Sequence, residues 1–303
     1  MITKIIDNIE KIIVGKRAAI EELVAAFLAD GHVLIEDVPG VGKTQLAFAL
    51  ARSVGGRFNR IQLTPDIMPS DITGFSIIDP KTSELVYKPG GADCNILLAD
   101  EINRASPKTQ SALLEVMEER QVSLDGVTHK LPKPLLVIAT ENPVETYGTY
   151  HLPEAQMDRF AVKIKIGYPD EDAELEILSR NEKIPPEISA VITTENAIAL
   201  QEQAKDIKVS EDLRRYIIEI SAASRDNELI KLGISPRGSL MLLKISKSFA
   251  MIAGRDYVTP DDIKRAALIT LPHRLTLSQK GRSSIGSSDA MTLNILDSIA
   301  VPR

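Results

Sequence analysis

Cysteine is nearly missing from this sequence of 303 residues: Cys94 stands alone, so no intrachain disulfide framework can form. A lone cysteine here reads as a buried, inert thiol, which suits a reducing cytoplasm without requiring one. The four histidines (His32, His129, His151 and His273) are scattered, none at metal-ligand spacing from another histidine or from the cysteine. They read as packing or surface residues. No apolar run approaches the roughly 18 residues of a membrane span. The opening stretch, MITKIIDNIEKIIVGKR, interleaves charges with its apolar side chains, unlike the unbroken apolar region of a signal peptide. A cytoplasmic protein with no membrane span is expected. Basic excess is also lacking. The net charge is −6, so the chain has no global field of the kind that draws proteins to nucleic acid or anionic lipid. No repeat of fixed period and no low-complexity tract is present.

What remains is an ordinary globular composition in a chain long enough for about two domains. The first half alternates short apolar runs with amphipathic segments. Residues 32–36, 58–63, 95–99 and 135–140 read as strands, and 161–166 as a half-exposed strand. Thr44 to Val54 reads as a helix stopped by Gly55, and Ser106-Pro107 as the start of another, with serine at the N-cap. Strands alternating with helices imply an α/β fold with a parallel sheet covered on both faces. From about residue 168 to 270 only helical signals follow, with Ser210, Ser235 and Thr259 as N-caps, Pro236 and Pro260 at first helical positions, and Gly254 at a helix end. The expected division is an α/β core over 1–167 and an all-α domain over 168–303. The small polar stretch SSIGSSDA near the end is expected to be mobile.

The segment Asp37-Val-Pro-Gly-Val-Gly-Lys-Thr44 falls between a predicted strand and a predicted helix, the context in which a glycine-rich turn cradles phosphates. Glycines let successive N–H groups converge on phosphate oxygens, and the helix N-terminus adds partial positive charge. Lys43 would reach the β- and γ-phosphates, and the Thr44 hydroxyl would ligate Mg²⁺. Pro39, Gly40, Val41, Gly42 and Gln45 complete this stretch of the nucleotide site. Asp37 replaces the glycine that usually opens such loops, and its carboxylate is expected either to be repelled by phosphate or to point outward.

Ile96-Leu-Leu-Ala-Asp100-Glu101 is an apolar strand ending in two carboxylates. Asp100 would hold Mg²⁺ directly or through water, and Glu101 would polarise the attacking water as general base. Asn142, after another apolar strand, could orient the same water. Arg159 and Arg237 are single arginines at element edges, where a surface salt bridge is the default reading. With the phosphate loop, the acidic pair implies Mg-dependent hydrolysis of ATP. No N-K-x-D guanine-reading motif is present.

DVPGVGKT, ILLADEINRASPKTQSALLEVMEE, ATENPVETYGTYHLPEAQMDRF and GISPRGSLMLL, in this order and spacing, resemble the MoxR family of AAA+ ATPases over about residues 13–274. The closing Val-Pro-Arg also resembles it. The resemblance implies an α/β core with a helical lid. It places Val14 and Gly15 near the adenine, Glu101 as catalytic glutamate and Asn142 as the sensor-1 residue. Arg159 would be the arginine finger for a neighbouring subunit's ATP, Arg237 the sensor-2 residue of the lid, and Arg104 a further residue facing the neighbour. It also implies a homo-oligomeric ring, typically a hexamer. The ring would act on a protein partner such as one with a von Willebrand factor A domain, with metal or cofactor insertion as a typical outcome. Residues 65–91 and 119–131 read as hairpin insertions, the second on Asp125-Gly126. Such hairpins also occur in nucleic-acid motors. The second offers only Arg120, His129 and Lys130 against Glu119 and Asp125, so nucleic acid is the lesser alternative, and a monomeric small-molecule phosphotransferase is the other.

Overall fold

The computed structural model describes residues 1–143, 148–181 and 188–302. The expected motif residues 144–147 and the terminal Arg303 lie outside the described residues. The chain forms two compact units, each discontinuous in sequence: residues 1–20, 34–152 and 165–198 in one, and 21–33, 153–164 and 199–303 in the other.

The chain begins with α1 (Ile2–Glu10) and α2 (Arg17–Leu28), then β1 (Val33–Glu36), α3 (Lys43–Ser53), β2 (Phe58–Gln62), α4 (Pro69–Thr73), β3 (Gly74–Ile78), β4 (Leu85–Pro89) and β5 (Ile96–Asp100). It continues with α5 (Pro107–Glu119), β6 (Gln121–Leu124), β7 (Val127–Lys130), β8 (Leu136–Glu141), α6 (Glu154–Met157), β9 (Val162–Ile164) and α7 (Glu171–Asn181). The strands β2-β5-β8-β1-β9 make one sheet in that order. The pairs β2/β5 and β5/β8 are parallel, with Gln62 beside Asp100 and Ala99 beside Ala139. This register carries the side chains at the carboxyl ends of the three strands to one edge, where ligands bind in open α/β sheets. The strands are apolar throughout because both faces are covered: Leu34, Ile35, Ile96, Leu97, Leu98, Val137 and Ile138 are fully buried. On one face α3 packs against β5 and against α1, whose Ile5, Ile6 and Ile9 are buried. Cys94 is buried and its thiol is pushed up to about 12 by that burial, which bears out an inert thiol.

Both insertions are antiparallel hairpins. Asp125 and Gly126, with φ of 51° and 77°, make the two-residue turn of β6–β7 that such a dipeptide favours. In β3–β4, Tyr87 stacks on His129 of the other hairpin with ring centroids 3.9 Å apart.

The rest is α8 (Thr194–Lys205), α9 (Glu211–Arg225), β10 (Ile230–Leu232), α10 (Pro236–Ile252), α11 (Pro260–Thr270), β11 (Thr276–Leu277), α12 (Gln279–Ser284) and α13 (Ser288–Ser298). The serine caps form as expected: Ser210 accepts from Leu213 N at 3.3 Å and Ser235 from Gly238 N at 3.1 Å. Thr259 and Asp262 make a reciprocal capping box. Two expectations need correction. The purely helical stretch is broken by β10, which pairs antiparallel with β11. A three-residue strand carries too little periodicity to be read from sequence. SSIGSSDA is not a loose stretch. It ends α12 and starts α13, with Ser287 capping Ala290 N at 3.1 Å, and Met291, Ile295 and Leu296 of α13 are buried. Of its small polar residues, Ser287 is the N-cap of α13 and Ser288 Oγ donates to Leu275 O at 3.0 Å. Among the described residues no helix is long and apolar enough to cross a membrane.

In the second unit, burial raises the Glu22 carboxyl to about 7, against the lowering effect of Arg265, which is ion-paired to Glu21 at 2.7 Å. A carboxyl raised in the folded state favours folding below the unfolded value of 4.5, and that contribution is lost as pH rises through about 7. Glu22→Gln should therefore change the melting temperature little at pH 5 and raise stability by about 1–3 kcal/mol at pH 8. Thermal denaturation at the two pH values checks it.

Candidate nucleotide site

β1 delivers the chain into the loop 37–42, and α3 leaves it. Gly42 is the N-cap of α3 with φ 91°, and Gly40 has φ 89°. Both lie in the left-handed region, where a side chain would strain the backbone, so the curl needs glycine at these two positions. The amide N–H groups of the first turn of α3 are left to point at whatever occupies the loop.

Asp37 does not point outward. It is 8% exposed, and its carboxylate turns inward. Oδ2 accepts from Ile166 N and Gly167 N, both at 2.7 Å, and Oδ1 from Val38 N at 2.9 Å. Its own N–H donates to Glu141 O at 3.2 Å. A carboxylate saturated by backbone donors is well placed without a cation. It ties the start of the loop to residues 166–167. Lys43 Nζ donates to Asp37 O at 2.5 Å. Burial pulls the Lys43 ammonium below its ordinary value, and the charges of Asp37, Asp100 and Glu101 oppose this.

A cleft of about 370 Å³ is lined by Pro39, Gly40, Gly42, Lys43, Thr44, Gln45, Asp100, Glu101 and Asn142, together with Arg60 and Gln62. Nine positions singled out from sequence thus converge, brought together by the parallel register. Asn142 is 7% exposed at the end of β8. Sequence reading missed three partners of the acidic pair. Arg60 donates to Asp100 Oδ2 at 2.6 Å, and the Thr140 hydroxyl to Asp100 Oδ1 at 2.5 Å. Gln62 Nε2 donates to Glu101 Oε2 at 2.7 Å. Arg104 also reaches Glu101 Oε2, at 3.0 Å. Glu101 takes a positive φ of 58°, and its N–H donates to Thr140 Oγ1 at 2.9 Å. Only the β2–β5–β8 register tells that these side chains meet; no local signal in FNRIQ does.

A second cleft, of about 410 Å³, shares Gly40, Gly42 and Gln45 and adds Val41, Val14, Ile12, Ile13, Tyr168, Ile177 and Leu178. It is mostly apolar, as a flat heteroaromatic base requires. Val14 and Val41 line it. Gly15 is not among its lining residues and lies against Ala173 of α7. Tyr168 and Leu178, 73% and 65% exposed, have no sequence signal except as oddly exposed apolar residues. Arg159 and Arg237 belong to the second unit, at the end of α6 and in the first turn of α10.

The oxygens of Thr44 and Asp100 in one cleft suit Mg²⁺, which takes few protein ligands and completes its shell with water and phosphate. Among the described residues no cluster of three or more His, Cys, Asp and Glu could hold a metal.

The role of Asp37 is open to measurement. Asp37→Gly, which restores the glycine usual in such loops, should destabilise the protein by about 2–4 kcal/mol, because the amides of Ile166 and Gly167 lose their acceptor. Denaturant titration checks it, and an unchanged midpoint would refute the tie.

A family model described as an ATPase family associated with various cellular activities (AAA) matches residues 32–162, and an AAA lid domain model matches 222–292. The chain is 48% identical to the uncharacterized protein YeaC of Bacillus subtilis over 100% of this chain and 95% of that one. It is 41% identical to the chaperone MoxR1 of Mycobacterium tuberculosis over 98% of this chain and 81% of that protein. The crystal structure of a candidate ATPase from Cytophaga hutchinsonii superposes with a TM-score of 0.92 at 36% identity, covering 100% of this chain and 95% of that one. Together with the parallel sheet, the phosphate loop and the helical region that follows, these matches place the chain in the MoxR family of AAA+ ATPases.

Proposed function

We propose that this chain hydrolyses ATP with Mg²⁺ in a homo-oligomeric ring, hexameric by family resemblance, and uses the cycle to remodel or mature a partner protein in the cytoplasm. The observation that carries this reading is the convergence of Lys43, Thr44, Asp100, Glu101 and Asn142 on one cleft beside an apolar pocket. The phosphates would lie on the amides of Gly40 to Thr44, with Lys43 at the β- and γ-phosphates and the base among Val14, Val41, Ile177 and Leu178. Mg²⁺, when bound, neutralises charge developing on the phosphates, and Thr44 and Asp100 would hold it. Asp100 would do so through water, or directly once Arg60 is released. Glu101 accepts a proton from the attacking water, and Asn142 orients that water. Gln62 and Arg104 both bond to Oε2 of Glu101, so the base can work through Oε1 without breaking those bonds. The nucleotide-binding core is taken as 1–167 and the helical lid as 168–303.

The described cleft has no arginine for the γ-phosphate beyond Arg60, which is committed to Asp100. A site of this kind takes its arginine in trans, and a head-to-tail contact that supplies one closes into a ring when the rotation permits. Arg159 would serve the neighbour's nucleotide and Arg237 the subunit's own. The name of the mycobacterial relative, a chaperone, supports a protein substrate. A von Willebrand factor A domain partner and metal or cofactor insertion follow from the family resemblance. The charge of −6 supports protein over nucleic acid as partner.

Glu101→Gln should keep nucleotide binding and lower turnover by about 10²-fold or more. Phosphate release and a fluorescent ATP analogue measure the two separately, and unchanged turnover would sink the assignment. Arg159→Ala should lower turnover by about 10³-fold in the assembled protein. Full activity in a monomer would instead favour a stand-alone phosphotransferase. The Glu101→Gln protein, held in its ATP state, should capture the protein partner. ATPase activity stimulated by DNA would point to the nucleic-acid motor.

A further inference from the structure

Within the second unit, Arg274 and Asp158 form an ion pair of 2.7 Å in which the arginine side chain is 1% exposed. A guanidinium has five N–H groups, and all five find acceptors here. Nε donates to Asp158 Oδ1. Nη1 donates to the carbonyls of Ala161, at 3.1 Å, and Thr270, and Nη2 to those of Phe160, at 2.5 Å, and Asp158, at 3.1 Å. Three of these carbonyls bracket Arg159 along the chain. The other carboxylate oxygen, Asp158 Oδ2, accepts from Ser235 Oγ at 2.8 Å, and Ser235 Oγ accepts from Gly238 N at 3.1 Å as the N-cap of α10. Arg237 sits between those two residues.

The glycine of ISPRG has its reason in the same place. A Cβ on Gly238 would lie 2.7 Å from Ile234 Cγ2, 2.9 Å from Arg274 Cδ and 3.3 Å from its Nε, so glycine makes room for both Ile234 and the Arg274 side chain at the first turn of α10. Burial pulls Arg274 down to about 10, Asp158 opposes that, and the charge of Arg237 adds to the lowering, so the two arginines feel each other. Removing one partner of a buried pair leaves the other charge uncompensated, which makes the connection costly to break.

We propose that Arg274 and Asp158 are positioning residues that yoke Arg159 to Arg237. The arginine offered to a neighbouring subunit's nucleotide and the arginine offered to the subunit's own then move as one body. The proposal rests on the roles given to Arg159 and Arg237 above. A pair that served only to hold the fold would change the melting temperature and leave the kinetics of the folded protein alone.

The test compares Asp158→Asn with Arg159→Ala and Arg237→Ala in the full chain, reading melting temperature, kcat and the Kd of a fluorescent ATP analogue. Asp158→Asn should lower kcat by about 10-fold or more, as misplacing a reacting group does, and weaken nucleotide binding as well. Added to a double variant carrying Arg159→Ala and Arg237→Ala, it should cost less than about twofold further in kcat, since it acts only through those two groups. A folded Asp158→Asn protein with kcat and Kd within about twofold of the parent, or losses that add in full, would overturn the yoke. If Asp158→Asn does not fold, Ser235→Ala cuts only the end at α10. It should lower kcat, and Ser235→Thr should restore it, whereas a loss of affinity alone would overturn the proposal. Full turnover by Arg159→Ala would show that the finger assignment has failed, whatever Asp158→Asn does.

Discussion

The inward turn of one carboxylate sets the shape of the nucleotide site. A loop with two left-handed glycines is free to take many conformations, and freedom of that kind opposes binding. Asp37 removes much of it by fixing the loop's start through its own N–H on Glu141 and its carboxylate on the amides of residues 166 and 167. The loop therefore begins from a held point on one side and enters a helix on the other. The same carboxylate links the phosphate cradle to the segment leading into Tyr168 and α7, which wall the apolar cleft. The glycine loop and the apolar cleft thus share a common backbone support.

Around the acidic pair the governing consideration is charge. Asp100 and Glu101 stand at adjacent positions, and two carboxylates so close repel unless donors surround them. Arg60 and Gln62 of β2, Thr140 of β8 and Arg104 supply those donors from three different segments. Burial disfavours the charge of Lys43, and the same carboxylates and Asp37 oppose that effect. Cation and carboxylates support one another before any ligand arrives, so little reorganisation is asked of the site when phosphate enters.

The second unit solves a different problem. Its helices are specified locally by caps, and ion pairs form around Arg274 and around Arg255, which makes two 2.7 Å bonds to Asp262. Such pairs contribute little net stability against an apolar core, yet they fix which backbone segments meet. Fixing residues 158–161 against the start of α10 gives two exposed or half-exposed arginines a defined geometry.

The residues whose roles are local could be read from the chain alone. Lys43 and Thr44 after Gly42, the apolar strand ending in Asp100-Glu101, and the caps at Ser106, Ser210, Ser235 and Thr259 are written in adjacent positions, because phosphate cradles and helix ends are made by neighbours in sequence. The family-specific blocks added the α/β core and the lid. What the sequence could not determine is which distant side chains meet. The partners Arg60, Gln62 and Thr140 follow from strand register, the inward turn of Asp37 from two amides about 130 residues away, and the need for Gly238 from the close approach of Arg274. Each depends on packing between segments far apart in the chain, and periodicity and propensity carry no record of that.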